Sequence, residues 1–366
     1  MADAKLKVLI IARHIDQGLG GIEIQCDLIA RELSSIGHTV SYAAPGLIQG
    51  QGELPYELLA WHPQDACALS ALIARFKPDI IYLRNNKNGL RLIAKVAQRK
   101  QVPLVFAVSS LQDVQPWSYH KSNSPASMRR LVSVAWQRIK SRWNWQGFRY
   151  VSAVVCLNPD YTDHLPVENR VHIPDSMDSA VTPFFWPRPY VAWVAQLKDY
   201  KHPEAYVELA RRCFDLDIDF LMVGGLIHEN LRWIAEQIGT PRKFHYLGTM
   251  TPKQVNGFLA GSELMVHTCA PEGFGNNFIQ AWQQGKATLS LQFDPGGVIE
   301  RHDIGAIGGD IDGLERQLRR LLANEDAKAA MESRALKHAS QNYNPHTNVK
   351  KLESVFQEML QAGGRQ

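Results

Sequence analysis

The sequence predicts an α/β protein of two doubly wound parallel-sheet domains, and three observations predict it. The chain has 366 residues, and at roughly 150 residues per domain that length divides between two cores. Short β-type apolar runs alternate with helical patterns along most of it, as in parallel strands covered on both faces by helices. The alternation stops over residues 173–190, where Pro174, Pro183, Pro187 and Pro189 fall in a stretch with neither periodicity. That stretch reads as an interdomain linker.

In the first half, strands are expected over residues 8–12, 39–44, 79–83, 103–108, 153–157 and 171–173, with amphipathic helical stretches over 22–36 and 90–99 between them. The second half restarts at 190–196 and continues at 219–223, 244–247, 264–267 and 287–290. After Gly309 the pattern is helical to the end, broken by Asn342-Tyr343-Asn344-Pro345 before a last helix near 350–360. The expected division is a first domain over 1–174, a linker over 175–189, a second domain over 190–342, and a terminal helix over 343–366 that crosses back to the first domain. Ligands of open α/β sheets bind beyond the carboxyl ends of the strands. The expected active site is therefore a cleft between the two sheets.

Composition excludes several classes. With 45% hydrophobic and 21% charged residues, the chain is neither disordered, collagen-like nor coiled-coil. Its apolar runs fall far short of the ~20 residues that cross a bilayer. Lys5 and Lys7 precede only five apolar residues, fewer than the ~7–15 of a secretory signal core, so a cytoplasmic location is expected. The five cysteines, Cys26, Cys67, Cys156, Cys213 and Cys269, are scattered and show neither a disulfide framework nor zinc spacing. Residues 1–175 hold 20 Lys+Arg against 14 Asp+Glu, a net of +6, whereas 176–366 hold 20 against 22, a net of −2. A balance that modest suits an anionic ligand or surface and excludes the dense basic stripe of a nucleic-acid binder.

One segment is more sharply biased. Residues 114–159 contain no acid but seven bases: Lys121, Arg129, Arg130, Arg138, Lys140, Arg142 and Arg149. Within it Met128, Val132, Ala135, Trp136, Ile139 and Trp143 recur at three- and four-residue spacing, on one helical face flanked and opposed by the bases; Trp117 and Trp145 add aromatics. A crossover helix packed on the first sheet with solvated charges would read this way. So would an interfacial helix on anionic lipid, with tryptophans at headgroup depth. Under the second reading Trp117, Arg129, Arg130, Trp136, Arg138, Lys140, Arg142 and Trp143 form a membrane or acceptor surface.

The chemistry-bearing stretch is residues 268–290, T-C-A-P-E-G-F-G-N-N-F-I-Q-A-W-Q-Q-G-K-A-T-L-S. It follows an expected strand and becomes a helix at Asn276, closed by Gly285. A strand, a Gly-Phe-Gly loop and a helix start leave free backbone N–H groups that can hold a phosphate without a metal. Glu272 before the loop and Gln280 on the helix can hydrogen-bond hydroxyls on either side of that phosphate, which suits a diphosphate carrying a sugar at each end. Plainer roles exist for each residue: Glu272 as a turn cap, Lys201 as a solvated lysine at a helix start, Glu23 as a first-turn helix charge. Asp215-x-Asp217-x-Asp219 lies at the amino end of a strand and Asp310-Ile311-Asp312 opens a helix, so both read as structural. The thirteen histidines show no metal-ligand spacing. No metal or other cofactor is expected.

Residues 272–280 resemble the E-x7-E signature of retaining GT-B glycosyltransferases, specifically the family numbered four. Further landmarks resemble that family in order: Gly20-Gly21-Ile22-Glu23, Gly37-His38-Thr39-Val40, Pro78-Asp79-Ile80-Ile81, Ile173-Pro174-Asp175-Ser176-Met177-Asp178, Val194-Ala195-Gln196-Leu197 with Lys201, and Asp294-Pro295-Gly296-Gly297. The resemblance implies the GT-B fold and retaining transfer of a sugar from a nucleoside-diphosphate sugar to a growing glycan. A lipid-linked bacterial surface polysaccharide or lipopolysaccharide acceptor on the inner face of the cytoplasmic membrane would account for the basic, tryptophan-rich segment.

It also implies catalytic roles for Glu272, near the donor sugar, and Lys201, on the leaving diphosphate. Donor binding falls to Gly20, Gly21, Gln196, Gly248, Thr249, Phe274, Gly275, Asn276, Asn277 and Gln280, with Gln280 on the ribose and residues 246–249 near the nucleobase. Gln196 stands where the family has Arg, and Gln280 where it has Glu. Val108-Ser109-Ser110 replaces an expected His after the fourth strand. These departures leave open a weakened nucleotide-sugar-binding or scaffold subunit, and a GT-B epimerase acting on donor alone.

Overall fold

In the computed structural model, described over residues 5–18, 20–46, 53–62, 65–84, 87–109, 111–116, 128–157, 161, 165–236, 243–270 and 272–363, the chain forms two compact units. The first comprises Met1–Asp175 with Pro345–Gln366, and the second Ser176–Asn344.

Seven described parallel strands make the first sheet: β1 (Lys7–Ile11), β2 (Thr39–Pro45), β3 (Glu57–Trp61), β4 (Ile80–Leu83), β5 (Leu104–Val108), β6 (Ala153–Cys156) and β7 (Arg170–His172), in the order β3-β2-β1-β4-β5-β6-β7. Its helices are α1 (Gly21–Ser35), α2 (Ala66–Phe76), α3 (Leu90–Arg99), α4 (Leu111–Val114) and α5 (Met128–Trp145). The period-2 alternation of side chains explains why β1 reads as an unbroken apolar run. Val8 and Ile10 join one core with Cys26, Ile29 and Leu33 of α1, while Leu9 and Ile11 join another with Leu69, Ile73 and Ile93 of α2 and α3. The edge strand β3 escapes the sequence reading because its short apolar run, Leu58-Leu59-Ala60-Trp61, holds no β-branched residue and no alternation that would mark it as a strand.

Asp175 ends this unit in a buried, bidentate ion pair with Arg84 at the tip of β4 (2.7 and 2.8 Å). Fork-to-carboxylate geometry fixes both partners in direction, and it anchors the chain where it leaves the sheet.

Helix α5 inverts the usual arrangement. Its last residue, Trp145, packs on the core beside Phe148, but its other inward contacts are polar: the Ser141 hydroxyl donates to the Pro116 carbonyl (3.1 Å), and Asn144 Oδ1 accepts from the Gly89 N–H (3.2 Å), both side chains being buried. Its apolar residues Leu131, Val132, Trp136, Ile139 and Trp143 face solvent, at 49–67% exposure. A crossover helix packed by its apolar face is therefore not what forms. Arg138, Lys140 and Arg142 are exposed beside that face. Trp117 and Lys121 lie outside the described residues, as do the side chains of Arg129 and Arg130.

The second unit holds a six-stranded parallel sheet: β8 (Tyr190–Val194), β9 (Asp219–Val223), β10 (Phe244–Tyr246), β11 (Leu264–His267), β12 (Thr288–Ser290) and β13 (Gly305–Ile307), in the order β10-β9-β8-β11-β12-β13. Helices α6 (Pro203–Arg212), α7 (Arg232–Glu236), α8 (Pro252–Ala260), α9 (Asn276–Gln283), α10 (Val298–His302), α11 (Ile311–Ala323) and α12 (Glu325–Asn342) surround it. Val191, Trp193, Phe220, Met222 and Val266 pack with Tyr206 of α6 and Leu314 and Leu318 of α11. The edge strand β13, Gly305-Ala306-Ile307, has two residues of little strand preference and is the second strand missing from the sequence reading.

The proline-rich stretch is an ordered strap on this unit. Asn256 of α8 donates to the Asp178 and Ala180 carbonyls (2.7 and 2.8 Å), and the Thr182 N–H donates to the Lys253 carbonyl (2.9 Å). Phe184 packs edge-on against Phe258, and the Trp186 indole donates to Asp219 (2.8 Å). A Cβ on Gly257 would lie 1.8 Å from the Thr182 carbonyl oxygen, so glycine alone admits this approach. Proline supplies no N–H for a ladder, which is why the strap borrows side chains instead.

Asp215 pairs with Arg319, and Asp219 with Arg188 and Trp186, so the spaced aspartates are structural. After α12 the chain returns to the first unit as α13 (Pro345–Gly363), where Val349, Leu352, Val355, Phe356 and Met359 complete the core containing α1. The buried His38 and Glu353 meet there at 3.0 Å.

Candidate active site

Both sheets reverse strand order at one point, between β1 and β4 and between β8 and β11. The carboxyl edge at such a reversal leaves a crevice between diverging loops. In the second unit four of these loops carry the residues singled out by sequence.

Glu272 follows β11 and accepts a hydrogen bond from the Lys201 ammonium; the two side chains are 18% and 16% exposed. Lys201 is set by a backbone relay: the Trp193 indole donates to Thr268 Oγ1 (2.9 Å), and the Thr268 hydroxyl donates to the Lys201 carbonyl (2.7 Å). The loop after β8 is therefore pinned to the loop after β11, which fixes the backbone from which the lysine side chain reaches Glu272.

Burial opposes the charge of Glu272, but the Lys201 ammonium outweighs it and holds the carboxyl well below the usual carboxylate range. Burial likewise opposes the charge of Lys201, and the Glu272 carboxylate raises it above the ordinary lysine value. Both groups are ionised across the neutral range.

Two neighbours were absent from the sequence reading. His267 is buried at the end of β11, against Phe278 (ring centroids 4.4 Å), with Nε2 3.9 Å from Glu272 Oε2. That Nε2 finds no hydrogen-bond partner among the described residues, and burial lowers the imidazole below its ordinary value. Cys269 is buried beside it, its thiol pushed up to about 12 by burial and then by Glu272. Their positions at i−5 and i−3 of Glu272 could have drawn notice, but only folding aims them at one point.

His267, Cys269 and Glu272 each bring one donor atom within 4.8 Å of the others. A cation placed among them would displace the Lys201 ammonium from Glu272, so the carboxylate already holds its countercharge.

The remaining predicted residues separate by environment. Gly275 caps α9 at φ 87°, with Asn276 and Asn277 in the first turn and no acid there. The Asn277 amide donates to the Val194 carbonyl (2.9 Å), tying the helix start to β8. Phe274 is buried edge-on to Trp282 and Tyr343. Gln196 and Asn276 are half-buried on the loop after β8 and at the start of α9. Gly248, at φ 74° with open space where a Cβ would sit, and the exposed Thr249 lie after β10. Gln280 turns inward and donates to Asn256 Oδ1 (2.9 Å), joining the network that holds the strap. Gly20 and Gly21 lie in the first unit, at the cap and first residue of α1, where Glu23 pairs with Arg13 (3.4 Å).

Residues 178–338 match the family model described as glycosyl transferases group 1. No curated protein matches the chain. Among solved structures, sucrose-phosphate synthase from Thermosynechococcus elongatus superposes with TM-score 0.74 at 14% identity, covering 98% of this chain and 100% of that one. HepE of Anabaena in complex with UDP-glucose gives 0.71 at 17% identity, covering 96% and 100%. WaaG, a glycosyltransferase involved in lipopolysaccharide biosynthesis, gives 0.69 at 14%, covering 95% and 99%. No described helix is long and apolar enough to cross a membrane. The chain has the GT-B fold, and the glycosyl transferases group 1 match spans most of its second unit.

Proposed function

We propose that the protein is a retaining glycosyltransferase that moves a hexose from a nucleoside-diphosphate sugar to a glycan acceptor, without a metal. The observation that carries this reading is the Lys201–Glu272 pair beside the α9 helix start on the carboxyl edge of the second sheet. The HepE structure holds UDP-glucose on the same fold, which supports a nucleotide-sugar donor. WaaG acts in lipopolysaccharide biosynthesis, which supports a bacterial surface glycan, lipid-linked, as acceptor.

In this reading the bond from the anomeric carbon to the diphosphate oxygen breaks, and its electron pair stays on the phosphate. Lys201 and the N–H groups at the start of α9 receive that negative charge, while the Glu272 carboxylate stabilises the positive charge growing on the sugar ring. An acceptor hydroxyl attacks the same face and loses its proton, giving glycoside, nucleoside diphosphate and a proton. Donor arrival draws Lys201 from Glu272 toward phosphate, so each half of the pair exchanges one partner for another. Gln196, Gly248, Thr249 and Gly275 to Asn277 would line the donor on the second unit.

The test is release of nucleoside diphosphate from a panel of nucleotide sugars with saccharide acceptors, with and without EDTA. Transfer that survives EDTA and collapses in Glu272→Gln supports the reading. A second reading, a donor-binding subunit with little turnover, is favoured by the engagement of Gln280 with Asn256 rather than with an open pocket. Tight donor binding without transfer or hydrolysis would select it. A changed sugar product from donor alone would select an epimerase.

A further inference from the structure

The outward face of α5 has no counterpart in the donor chemistry, and its composition is the reverse of a surface helix. At 3.6 residues per turn, Leu131, Val132, Ala135, Trp136, Ile139 and Trp143 fall within an arc of about 140°. Every one of them is exposed, while the opposite side buries Ser141 and Asn144. Exposed apolar surface of this extent costs free energy in water, and such patches mark contact sites. Arg138 lies on one margin of the arc and Lys140 on the other. Arg142 projects inside the arc, about 20° from Leu131 in azimuth but ~16 Å from it along the axis, and the Arg91 guanidinium of α3 covers the Trp143 ring at 4.7 Å.

We propose that this face of α5 docks on an anionic lipid bilayer, with Trp136, Ile139 and Trp143 at headgroup depth and Arg138, Lys140 and Arg142 on lipid phosphates. From Val132 to Trp143 the stripe runs about 17 Å along the axis, and its orientation parallel to a surface is that of interfacial helices. Charge decides the occupant. Residues 114–159 carry seven bases and no acid, so a second copy of this face would bring like charges together, which costs several kcal/mol in an interface. A bilayer rich in acidic headgroups supplies apolar depth and negative charge at once, each nearby Lys or Arg adding about 1 kcal/mol. The proposal does not depend on the donor chemistry, since the face lies on the first unit and its test needs neither donor nor acceptor.

The test is cosedimentation of the full chain with vesicles of phosphatidylethanolamine and phosphatidylglycerol, beside vesicles of phosphatidylcholine alone. Binding to the anionic vesicles only, reduced at least tenfold at ~1 M salt where the Debye length is ~3 Å, is expected. The double variant Trp136→Ser/Ile139→Ser is expected to lose at least tenfold in binding with an unchanged melting temperature, because both side chains are already in solvent. Arg138→Glu/Lys140→Glu should do the same. No binding to anionic vesicles, or equal binding to phosphatidylcholine, overturns the proposal. So does a dimer in sedimentation velocity that the Trp136/Ile139 variant converts to monomer while vesicle binding persists, for then the face joins copies of the chain.

Discussion

Lys201 and Glu272 show how the site stores its electrostatics. Each is mostly buried, and each is charged because the other is. Glu272, with its carboxyl held below its unfolded value of 4.5, stabilises the fold above that pH, and the contribution is lost as pH falls through the depressed value. Lys201, raised above 10.5, stabilises it below that pH, and the contribution is lost in more alkaline solution. Removing one partner strands the other. Lys201→Met should therefore cost about 3–5 kcal/mol in urea unfolding at pH 7, and the deficit should narrow toward pH 4 as the orphaned carboxyl takes up a proton. Glu272→Gln keeps the shape and should lower turnover by ~10²-fold or more while calorimetry still detects donor binding. Thiol chemistry gives a separate check on the cysteines. Cys67 is exposed and Cys26, Cys156, Cys213 and Cys269 are buried, so Ellman's reagent should find one fast thiol in the native protein and five in guanidinium.

The strap over residues 176–189 depends on α8 more than on its own conformation. It crosses Gly257 so closely that a methyl group would overlap the Thr182 carbonyl. Gly257→Ala gains in helix propensity by about 1 kcal/mol, yet the clash should win and destabilise the second unit by roughly 1–3 kcal/mol, measured by urea unfolding. Asn256 links this strap to Gln280 on α9, so the same variant should weaken donor binding if the strap sets the α9 start. A stabilised Gly257→Ala would show that the strap has room to lift.

Chain connectivity makes the first unit depend on both ends of the sequence. Helix α13 arrives from the far terminus and places Phe356 in the core beside Tyr82, ring centroids 6.2 Å apart. Phe356→Ala should cost about 3–5 kcal/mol, and calorimetry should show that loss in one of two transitions, with the second unit's unchanged. Ligand linkage gives the complementary result: a nucleoside diphosphate at 100 times its Kd should raise the stability of the second unit by about 2.7 kcal/mol, leaving that of the first where it was if the donor grips the second unit alone.

The interior strands, the helices between them and the Glu272–Gly275 loop were legible in the sequence because local signals carry them: unbroken apolar runs, 3.6-residue periodicity, glycine and proline. The edge strands β3 and β13 were not, since Leu58-Leu59-Ala60-Trp61 shows no β-branched residue or alternation and Gly305-Ala306-Ile307 has little strand preference. Sequence alone determined two parallel sheets and a helix start behind a Gly-Phe-Gly loop. Only tertiary structure decided that Lys201 closes on Glu272, that His267 and Cys269 stand behind it, that Gln280 faces Asn256, and that α5 turns Trp136 and Trp143 outward. Those outcomes depend on residues from distant strands meeting at one sheet edge, and on which face of a helix its neighbours leave uncovered, neither of which a local pattern encodes.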